Sequence, residues 1–523
     1  MPLLRTPSRP LTGLFLGLIL AWFCVPNAPA QQKDKPQNQT PAKPNADPGI
    51  LDSTKFDPHR PLAQELEASV PDGFTLIAVG DCITSRPLSQ LRAKDAAFAD
   101  VLALLASGDV TYGNMETSIL DMREFSGYPY PGPEDMSLVA DPGVAADMKA
   151  MGFDLVSRAN NHALDWGMEG MRETSRWLNQ AGIAWAGVGE NQGLARAAQY
   201  FNGKQGRIAI VSMASTFRPG SDALPARDGA PGRPGVNALT VKRTIVVPAP
   251  AMQQLVALEH TLYPNFHETL KPEDAVNGVP KKLALLGTKF ELGDAFTYRY
   301  EMDPEDSQGI LRAIRQGKQN SDFLIATIHS HEPATSVAPE PPNDFEDKPA
   351  PFLRDLAHAA VDSGADAFFV TGIHHLGPIE VYKGKPIVYG LGNFFWSDIQ
   401  EPVSADQYQA GRTMLAEALQ HPERATDADL LNLENKGSFA GDPPFEAMIV
   451  KSVFDKGKLA ELRIYPLDLG YGRKLSESGI PRPASPEKAS KILQRLQTLS
   501  TPYGTKIQTQ TVEGKPVGII RAN

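Results

Sequence analysis

The sequence predicts an α/β fold with a functional site at one edge of a sheet. Between residues 74 and 395, short apolar runs typical of buried strands alternate with segments of helical period. Polar residues of the kinds that bind metals or transfer protons directly follow several of these runs. Because loops from several strands converge beyond the carboxyl ends of the strands in an open α/β sheet, a site is expected there.

The composition excludes several other classes of protein. The 523 residues include 51 Lys and Arg against 61 Asp and Glu, a formal net charge of −10. An acidic chain argues against binding by general phosphate attraction, so no nucleic-acid partner is predicted. The hydrophobic content of 41% is ordinary for a globular protein, and two cysteines cannot supply a disulfide framework.

Residues 1–30 are predicted to be a signal peptide. Two arginines precede an apolar stretch at 11–25, and Ala28-Pro29-Ala30 fits a signal-peptidase cleavage site. The apolar stretch is shorter than the roughly 20 residues of a bilayer span. The alternative is an uncleaved N-terminal anchor; on either interpretation the folded part is extracytoplasmic, either periplasmic or secreted. Residues 31–70 contain six prolines in a polar stretch and are predicted to be a linker.

The main domain is predicted over residues 71–400. Its first strand is expected at 74–79, after which Gly80-Asp81 should turn the chain into a loop. The further strands are predicted at 110–112, 155–159, 207–213, 323–328 and 367–370, with a closing apolar segment at 386–395. The helices of this domain are predicted at 96–106, 145–151, 170–181 and 352–363.

Two segments depart from this alternation. Residues 217–309 begin with Gly/Pro-rich sequence and contain one isolated helix predicted at 252–262, so they are interpreted as an insertion or lid on the catalytic face. Residues 401–523 are predicted to be a C-terminal extension packed on the main domain. It would contain a hairpin with strands at 445–454 and 459–465 and a helix at 488–499.

Histidines concentrate at the predicted strand ends, where five of the ten in the chain lie. His329 and His331 are two residues apart, so both side chains face the same way in an extended backbone, which suits two imidazoles on one metal. His374 and His375 are adjacent and cannot both point inward, and His374 is favoured. His162 follows Asn160-Asn161, and two amides and an imidazole leaving a buried strand are costly unless they bind something.

Two carboxylates complete the candidate site. Asp81 taken alone is more often a helix cap, and Glu116 in Asn114-Met115-Glu116 is unremarkable taken alone. Together with the histidines and the amides, however, they recur at successive strand ends. Mixed oxygen and nitrogen ligands of this kind suit Mn, Fe or Zn.

Five motifs carry a resemblance to a known family. They are Gly80-Asp81, Asn114-Met115-Glu116, Asn160-Asn161-His162-Ala163-x-Asp165-x-Gly167, His329-x-His331-Glu332, and Gly384-Lys385-Pro386-Ile387 running to Leu391-Gly392-Asn393-Phe394. In this order, over residues 74–396, they resemble the capsule-synthesis (CapA) family. That family is linked to poly-γ-glutamate biosynthesis and belongs to the calcineurin-like metallophosphatase superfamily. The Asn-Asn-His-Ala motif and the last motif are the specific ones.

The resemblance implies a four-layer αββα sandwich, in which two sheets pack face to face with helices outside. It also implies a site for two divalent metal ions, with His162 as the proton donor beside the substrate and Asp165 orienting it. The implied metal ligands are Asp81, Glu116, Asn161, His329, His331 and His374.

Two positions depart from the family pattern. Ile83 stands where the superfamily usually has a histidine two residues after the first aspartate. Thr371 stands at the earlier of two histidine positions in the family's last histidine motif. A weaker or single-metal site is therefore an alternative.

Three functions fit these residues. The first is a metal-dependent phosphoesterase or related hydrolase, whose substrate would be a phosphoester. The second is a capsule or poly-γ-glutamate assembly factor that handles an anionic polymer, with a membrane-bound synthesis complex as a partner. The third is a non-catalytic extracytoplasmic binding protein with a degenerate metal site. The prediction is a CapA-type protein of polymer biosynthesis with a metallophosphatase-like site.

Overall fold

The computed structural model describes residues 63–130, 137–264, 271–334, 348–397, 405–434 and 441–521. The predicted signal peptide and most of the predicted linker lie outside the described residues. Within these ranges, no helix has the length and apolar character needed to cross a membrane.

Strands and helices alternate through the main domain, as the sequence predicts. The first strands are β1 (Phe74–Thr84), β2 (Val110–Met115), β3 (Ser118–Ile119), β4 (Val139–Ala140), β5 (Leu155–Ser157), β6 (Ala184–Ala186), β7 (Val188–Gly189), β8 (Gln199–Gly203), β9 (Gly206–Ala214), β10 (Gly235–Val236), β11 (Val241–Val247), β12 (Ala275–Val276) and β13 (Val279–Pro280). The remaining strands are β14 (Lys282–Leu285), β15 (Thr288–Leu292), β16 (Thr297–Met302), β17 (Phe323–His329), β18 (Ala367–Thr371), β19 (Ile379–Tyr382), β20 (Lys385–Val388), β21 (Asn393–Ser397), β22 (Glu446–Asp455), β23 (Lys458–Asp468), β24 (Arg482–Pro483), β25 (Gln508–Val512) and β26 (Lys515–Arg521). The α-helices are α1 (Ala96–Leu105), α2 (Gly143–Met151), α3 (Gly167–Ala181), α4 (Gln192–Arg196), α5 (Ala249–Leu262), α6 (Pro304–Gln319), α7 (Pro351–Asp362), α8 (Ala405–Ala418), α9 (Asp427–Glu434) and α10 (Pro486–Ser500).

Helix starts follow the usual capping chemistry. The Asp95 side chain accepts the Phe98 N–H at the start of α1, and Asp303 caps α6 with Pro304 in its first turn. These side chains satisfy backbone donors that have no partner within the helix. α1 begins at its predicted position, whereas α6 was not predicted.

Two large sheets form the centre of the molecule. The first has ten strands in the order β25-β26-β23-β22-β1-β2-β5-β6, with β21 paired to β1 and β24 to β23. The second has six strands in the order β19-β20-β18-β17-β9-β8. Strands β1, β2, β5 and β6 are parallel, and so are β9, β17, β18 and β20. Each parallel set therefore ends at one edge of its sheet.

Side-chain alternation along the strands builds four layers. Leu76 of β1 packs in one core with Ile210 and Ile325 of the second sheet, so the two sheets face each other. The opposite face of β1, including Ile77, packs with residues of α1 and α2. The outer face of the second sheet packs with α6 and α7, through residues such as Leu356. The predicted α/β fold with a four-layer αββα arrangement is confirmed.

The prediction that β1 ends before Asp81 is wrong. β1 continues to Thr84, and its pairing with β2 is irregular between Ala78 and Asp81. A Cβ atom added at Gly80 would lie 1.8 Å from the Gly392 carbonyl oxygen, so only glycine allows this close approach of two backbones. Asp81 thus sits where the register of β1 shifts against both β2 and β21, and such an irregularity re-aims a side chain inside a strand.

The segment at 217–309 contains more structure than one helix. Strands β14, β15, β11 and β16 form a small sheet of their own in that order. α5, which corresponds to the predicted isolated helix, packs against this sheet through Met252. The strands were not predicted because most of their residues are only partly buried and form no continuous apolar run.

The C-terminal residues extend the first sheet. The hairpin β22–β23 joins it because β22 pairs antiparallel with β1, from Phe74 opposite Phe454 to Ala78 opposite Val450. α10 contributes Ile492 and Leu496 to the core between the two sheets. The segment predicted as an extension therefore supplies the neighbour of the strand that carries Asp81.

Candidate metal centre

The predicted site residues come together where the parallel strands end. Distances of 4.0 Å or less link Asp81 in β1 with His374 after β18, and link Glu116 after β2 with His162 after β5 and with His329 at the end of β17. Asp165 is joined to His162, and His331 to His329. Asn161 also follows β5. Asp81, Glu116, Asp165 and His329 are at most 1% exposed. A cluster of ionisable groups this deep in the protein needs partners or a ligand to offset the cost of burial.

The Asn114 side chain holds the two carboxylates together. Its Nδ2 group donates to Asp81 Oδ1 at 2.8 Å and to Glu116 Oε2 at 3.2 Å. Its carbonyl oxygen accepts the Ser157 hydroxyl at 2.6 Å. The sequence placed Asn114 in a motif but gave it no role; its contacts identify it as the residue that links β1 to β2 at the site.

Glu116, His329 and His331 form a group that can hold one cation. One ligand atom from each lies within 4.8 Å of the others. His329 Nε2 is 3.6 Å from Glu116 Oε1 and 3.0 Å from His331 Nε2. Glu116 Oε1 is buried and has no hydrogen-bond partner among the described residues. A carboxylate and two imidazoles are a donor set that suits Mn, Fe or Zn.

Thr371 orients His329 rather than contributing an imidazole. Its hydroxyl lies 3.1 Å from His329 Nδ1. A hydrogen bond at Nδ1 leaves Nε2 facing Glu116, and such a bond is how metal-ligating histidines are usually fixed. The residue that stands in place of the family histidine therefore supports a candidate ligand.

His374 lies next to Asp81, and its ring centre is 5.6 Å from that of His331. Its Nδ1 is 2.8 Å from Asn393 Oδ1 and 3.5 Å from Asp81 Oδ2. The backbone at His374 has φ 53°, a conformation that non-glycine residues hold only where the surroundings enforce it.

The Asn161 side-chain oxygen is buried and, like Glu116 Oε1, has no hydrogen-bond partner among the described residues.

Burial changes the proton affinity of the cluster. Burial raises the pKa of Asp81 to about 6, against hydrogen bonds from Asn114 and Gly372. Burial, and then the charge of Asp81, raise the pKa of Glu116 well above its usual range. Burial, together with the neighbouring His331, lowers the pKa of His329 and His374 well below the usual value. A divalent cation prefers deprotonated carboxylates and neutral imidazoles, so it would offset this cost, and the residues fit such an ion.

His162 has a different environment from the other histidines. Its Nδ1 lies 2.8 Å from Asp165 Oδ2, and its Nε2 lies 4.0 Å from Glu116 Oε1. Asp165 Oδ1 is in turn 2.9 Å from the Arg218 guanidinium. Arg218 was not predicted; the signal available was an arginine four residues after the end of β9. One ring nitrogen of His162 is thus fixed by a carboxylate while the other faces the cluster.

Ile83 explains why one superfamily ligand is missing. It is 4% exposed and packs in the core between the first sheet and its helices. Position 83 therefore contributes no polar atom to the cluster.

Comparison with known proteins places the motifs in a family. The family model described as bacterial capsule synthesis protein PGA_cap matches residues 75–397. The uncharacterized protein y4sH of Sinorhizobium fredii is 41% identical over 466 residues, which are 87% of this chain and 94% of that protein.

Two more distant relatives have functional names. The capsule biosynthesis protein CapA of Bacillus anthracis is 22% identical over 340 residues, 63% of each chain. The PGA biosynthesis protein CapA of Bacillus subtilis is 21% identical over 319 residues, 60% of this chain and 61% of that protein.

Proposed function

Because the chain belongs to the bacterial capsule synthesis family PGA_cap, we propose that it serves capsule or poly-γ-glutamate biosynthesis outside the cytoplasm through a metal-dependent, phosphoesterase-like site. The observation that carries this proposal is the convergence of two buried carboxylates and three imidazoles on one edge, with His162 beside them. The substrate is proposed to be a phosphoester or an anionic polymer. The names of the CapA relatives support the biosynthetic role.

The proposed ligands of one ion are Glu116, His329 and His331, whose donor atoms lie close together. Asp81, His374 and Asn161 are proposed for a second ion, on the resemblance to the family. Divalent ions bound here would supply Lewis-acid chemistry, namely polarisation of a phosphoryl oxygen and a lower pKa for water.

His162 is proposed to act as the general acid. With Nδ1 held by Asp165, the Nε2 atom faces the cluster and can deliver a proton to the leaving oxygen as the P–O bond breaks. Asp165 selects the tautomer and holds the ring in place. The imidazole side chain is only 13% exposed, so it keeps this orientation without competition from bulk water.

A second candidate function is a polymer-binding or assembly factor without hydrolysis. Ile83 and Thr371 occupy two positions where the family pattern has histidines, which favours this candidate. The two functions differ in one measurable property, since only the first predicts turnover of a phosphoester.

Metal binding is the first test of the proposal. Protein purified without chelator should contain a transition metal by elemental analysis, and the double variant Asp81→Ala, His329→Ala should lose it. His421→Ala changes a histidine that is 62% exposed, so it serves as the control and should keep the metal. Equal metal content in the parent and the double variant would contradict the proposed ligands.

The role of His162 is tested separately with His162→Asn. We expect unchanged metal content and a loss of about 10²–10⁴-fold in phosphomonoester or phosphodiester hydrolysis, which is the usual range for general acid catalysis. If the metal is lost together with activity, His162 is a ligand. If the parent hydrolyses no ester with Mn, Fe or Zn, the assembly factor becomes the better description.

A further inference from the structure

A tight turn after β9 carries the arginine that contacts Asp165. Arg218-Pro219-Gly220-Ser221 has the sequence of a type II turn, with proline second and glycine third. The Ser221 N–H donates to the Arg218 carbonyl oxygen at 3.0 Å, and Gly220 has the positive φ, 82°, that this turn requires. The turn fixes the backbone from which the Arg218 side chain extends.

Arg218 and Asp165 form a buried ion pair. The guanidinium Nη2 lies 2.9 Å from Asp165 Oδ1, and the two side chains are 3% and 0% exposed. The other oxygen, Oδ2, accepts the Leu138 N–H at 2.6 Å and lies 2.8 Å from His162 Nδ1. Oδ1 thus has the Arg218 guanidinium as its ion-pair partner, with no hydrogen bond among the described residues, whereas Oδ2 has two polar partners. The carboxylate cannot turn away from His162 without breaking a buried charge pair, which is costly.

Tyr130 contacts both the turn at Pro219 and the backbone of Asp165. Its hydroxyl donates to the Pro219 carbonyl oxygen, and its backbone N–H donates to the Asp165 carbonyl oxygen at 2.6 Å. The Arg218 guanidinium lies 5.9 Å from the centre of its ring, within cation–π range. The turn at Pro219 and the backbone of Asp165 are therefore tied to one residue.

We propose that Arg218 is a positioning residue for His162, which it acts on through Asp165. It holds the carboxylate so that the imidazole keeps Nδ1 on Asp165 and Nε2 towards Glu116. The effect of Arg218 on catalysis rests on the proposed function. The orientation of the His162 ring does not, because it is a property of the metal-free protein. The segment interpreted as an insertion or lid would then supply part of the proton-transfer machinery.

The first experiment compares esters with different leaving groups. A nitrophenolate leaves without protonation, whereas a phenolate or an alkoxide needs a proton. In Arg218→Met, kcat for the phenyl ester should fall about 10- to 100-fold, part of the usual contribution of a general acid, with KM and metal content unchanged. The kcat for the 4-nitrophenyl ester should stay within about twofold, because no proton is needed there.

Two further variants separate positioning from simple destabilisation. Arg218→Lys keeps the charge of the buried pair but not the planar fork, and should show the same selective loss even if Arg218→Met does not fold. Arg233→Met removes an arginine of the same segment whose ion pair is with Asp222 rather than with Asp165. It serves as the control and should leave kcat for both esters unchanged. Equal losses on both esters, or no loss on either, would overturn the proposal.

The second experiment needs no turnover. In metal-free protein with ¹⁵N-labelled histidine, the His162 signal is assigned by its disappearance in His162→Asn. We expect a slowly exchanging Nδ1 proton in the parent and in Arg233→Met, and exchange at least about tenfold faster in the Arg218 variants. Unchanged exchange would refute the positioning role. A parent that hydrolyses no ester would instead refute the proposed function, and this measurement would still decide the role of Arg218.

Discussion

Replacement of Asp81 by asparagine should change how stability depends on pH. In the metal-free parent, burial raises the pKa of Asp81 from 3.8 to about 6. Between these two values the folded state binds more protons than the unfolded state, so the free energy of unfolding falls as the pH rises. The stability that the folded protein gains by keeping Asp81 protonated is fully present below pH 3.8. It is lost as the pH rises through about 6.

The size of the effect follows from the same values. Each unit of pKa difference between the folded and unfolded states is worth about 1.4 kcal/mol. The rise from 3.8 to about 6 therefore corresponds to about 3 kcal/mol in the free energy of unfolding. The parent loses this amount between pH 4 and pH 8, whereas Asp81→Asn does not. The asparagine amide faces the Gly372 N–H, which donates to Asp81 Oδ2 in the parent, and this mismatch lowers the stability of the variant by about 1–3 kcal/mol at every pH.

The assay is urea unfolding followed by tryptophan fluorescence, in chelator, at several pH values from 4 to 8. The free energy of unfolding of the variant minus that of the parent should rise by about 3 kcal/mol across this range. The histidines titrate in both proteins and largely cancel in the difference, whereas the pKa of Glu116 is lower once the charge of Asp81 is removed, which acts in the same direction as the loss of Asp81. Saturating Mn²⁺ should stabilise the parent and not the variant, because the ion binds only an intact site. A difference that stays constant from pH 4 to pH 8 would refute the reasoning.

Three further predictions concern other parts of the chain. Gly80→Ala should lower the free energy of unfolding by about 3 kcal/mol or more, because the new Cβ would lie 1.8 Å from the Gly392 carbonyl oxygen; a urea midpoint equal to that of the parent would contradict the close approach. Thr371→Val should weaken metal binding about 10-fold in a competition titration, because His329 Nδ1 loses the nearer of its two polar partners and keeps only Asn114 Nδ2, at 3.3 Å; unchanged affinity would mean that the hydroxyl does not orient the ring. N-terminal sequencing of exported protein should begin near Gln31, and a sequence that begins at Met1 would support the uncleaved anchor.

The main layers could be predicted from the sequence because buried parallel strands leave continuous apolar runs. The end of β1 could not, because Gly80-Asp81 reads equally as the start of a loop and as a bulge inside a strand. Only the approach of Gly392, far along the chain, distinguishes the two cases. The small sheet around β11 was missed for a related reason, since half-buried strands with charged residues lack a distinctive pattern.

In the candidate site too, some features could be predicted from the sequence and others could not. The residue types that gather at this edge could be predicted, since carboxylates and imidazoles at strand ends are conspicuous. The supporting residues could not, because Asn114, Thr371 and Arg218 act through contacts between segments distant in sequence. Their residue types are common in loops and strands that have no such role.

The pairing of β1 with β22 constrains when the protein can fold. β1 is synthesised early and β22 near the end of the chain, yet they are neighbours at the centre of the first sheet. Until the last part of the chain is made, residues Phe74–Ala78 of β1 lack their partner strand on the side that β22 takes, and such an unpaired edge is a template for aggregation. Pairings between such distant segments also form slowly. A chain terminated before residue 446 should therefore accumulate as aggregate rather than as a shorter protein with partial function. A chaperone that covers β1 during synthesis would keep the chain from aggregating until the candidate metal centre can form.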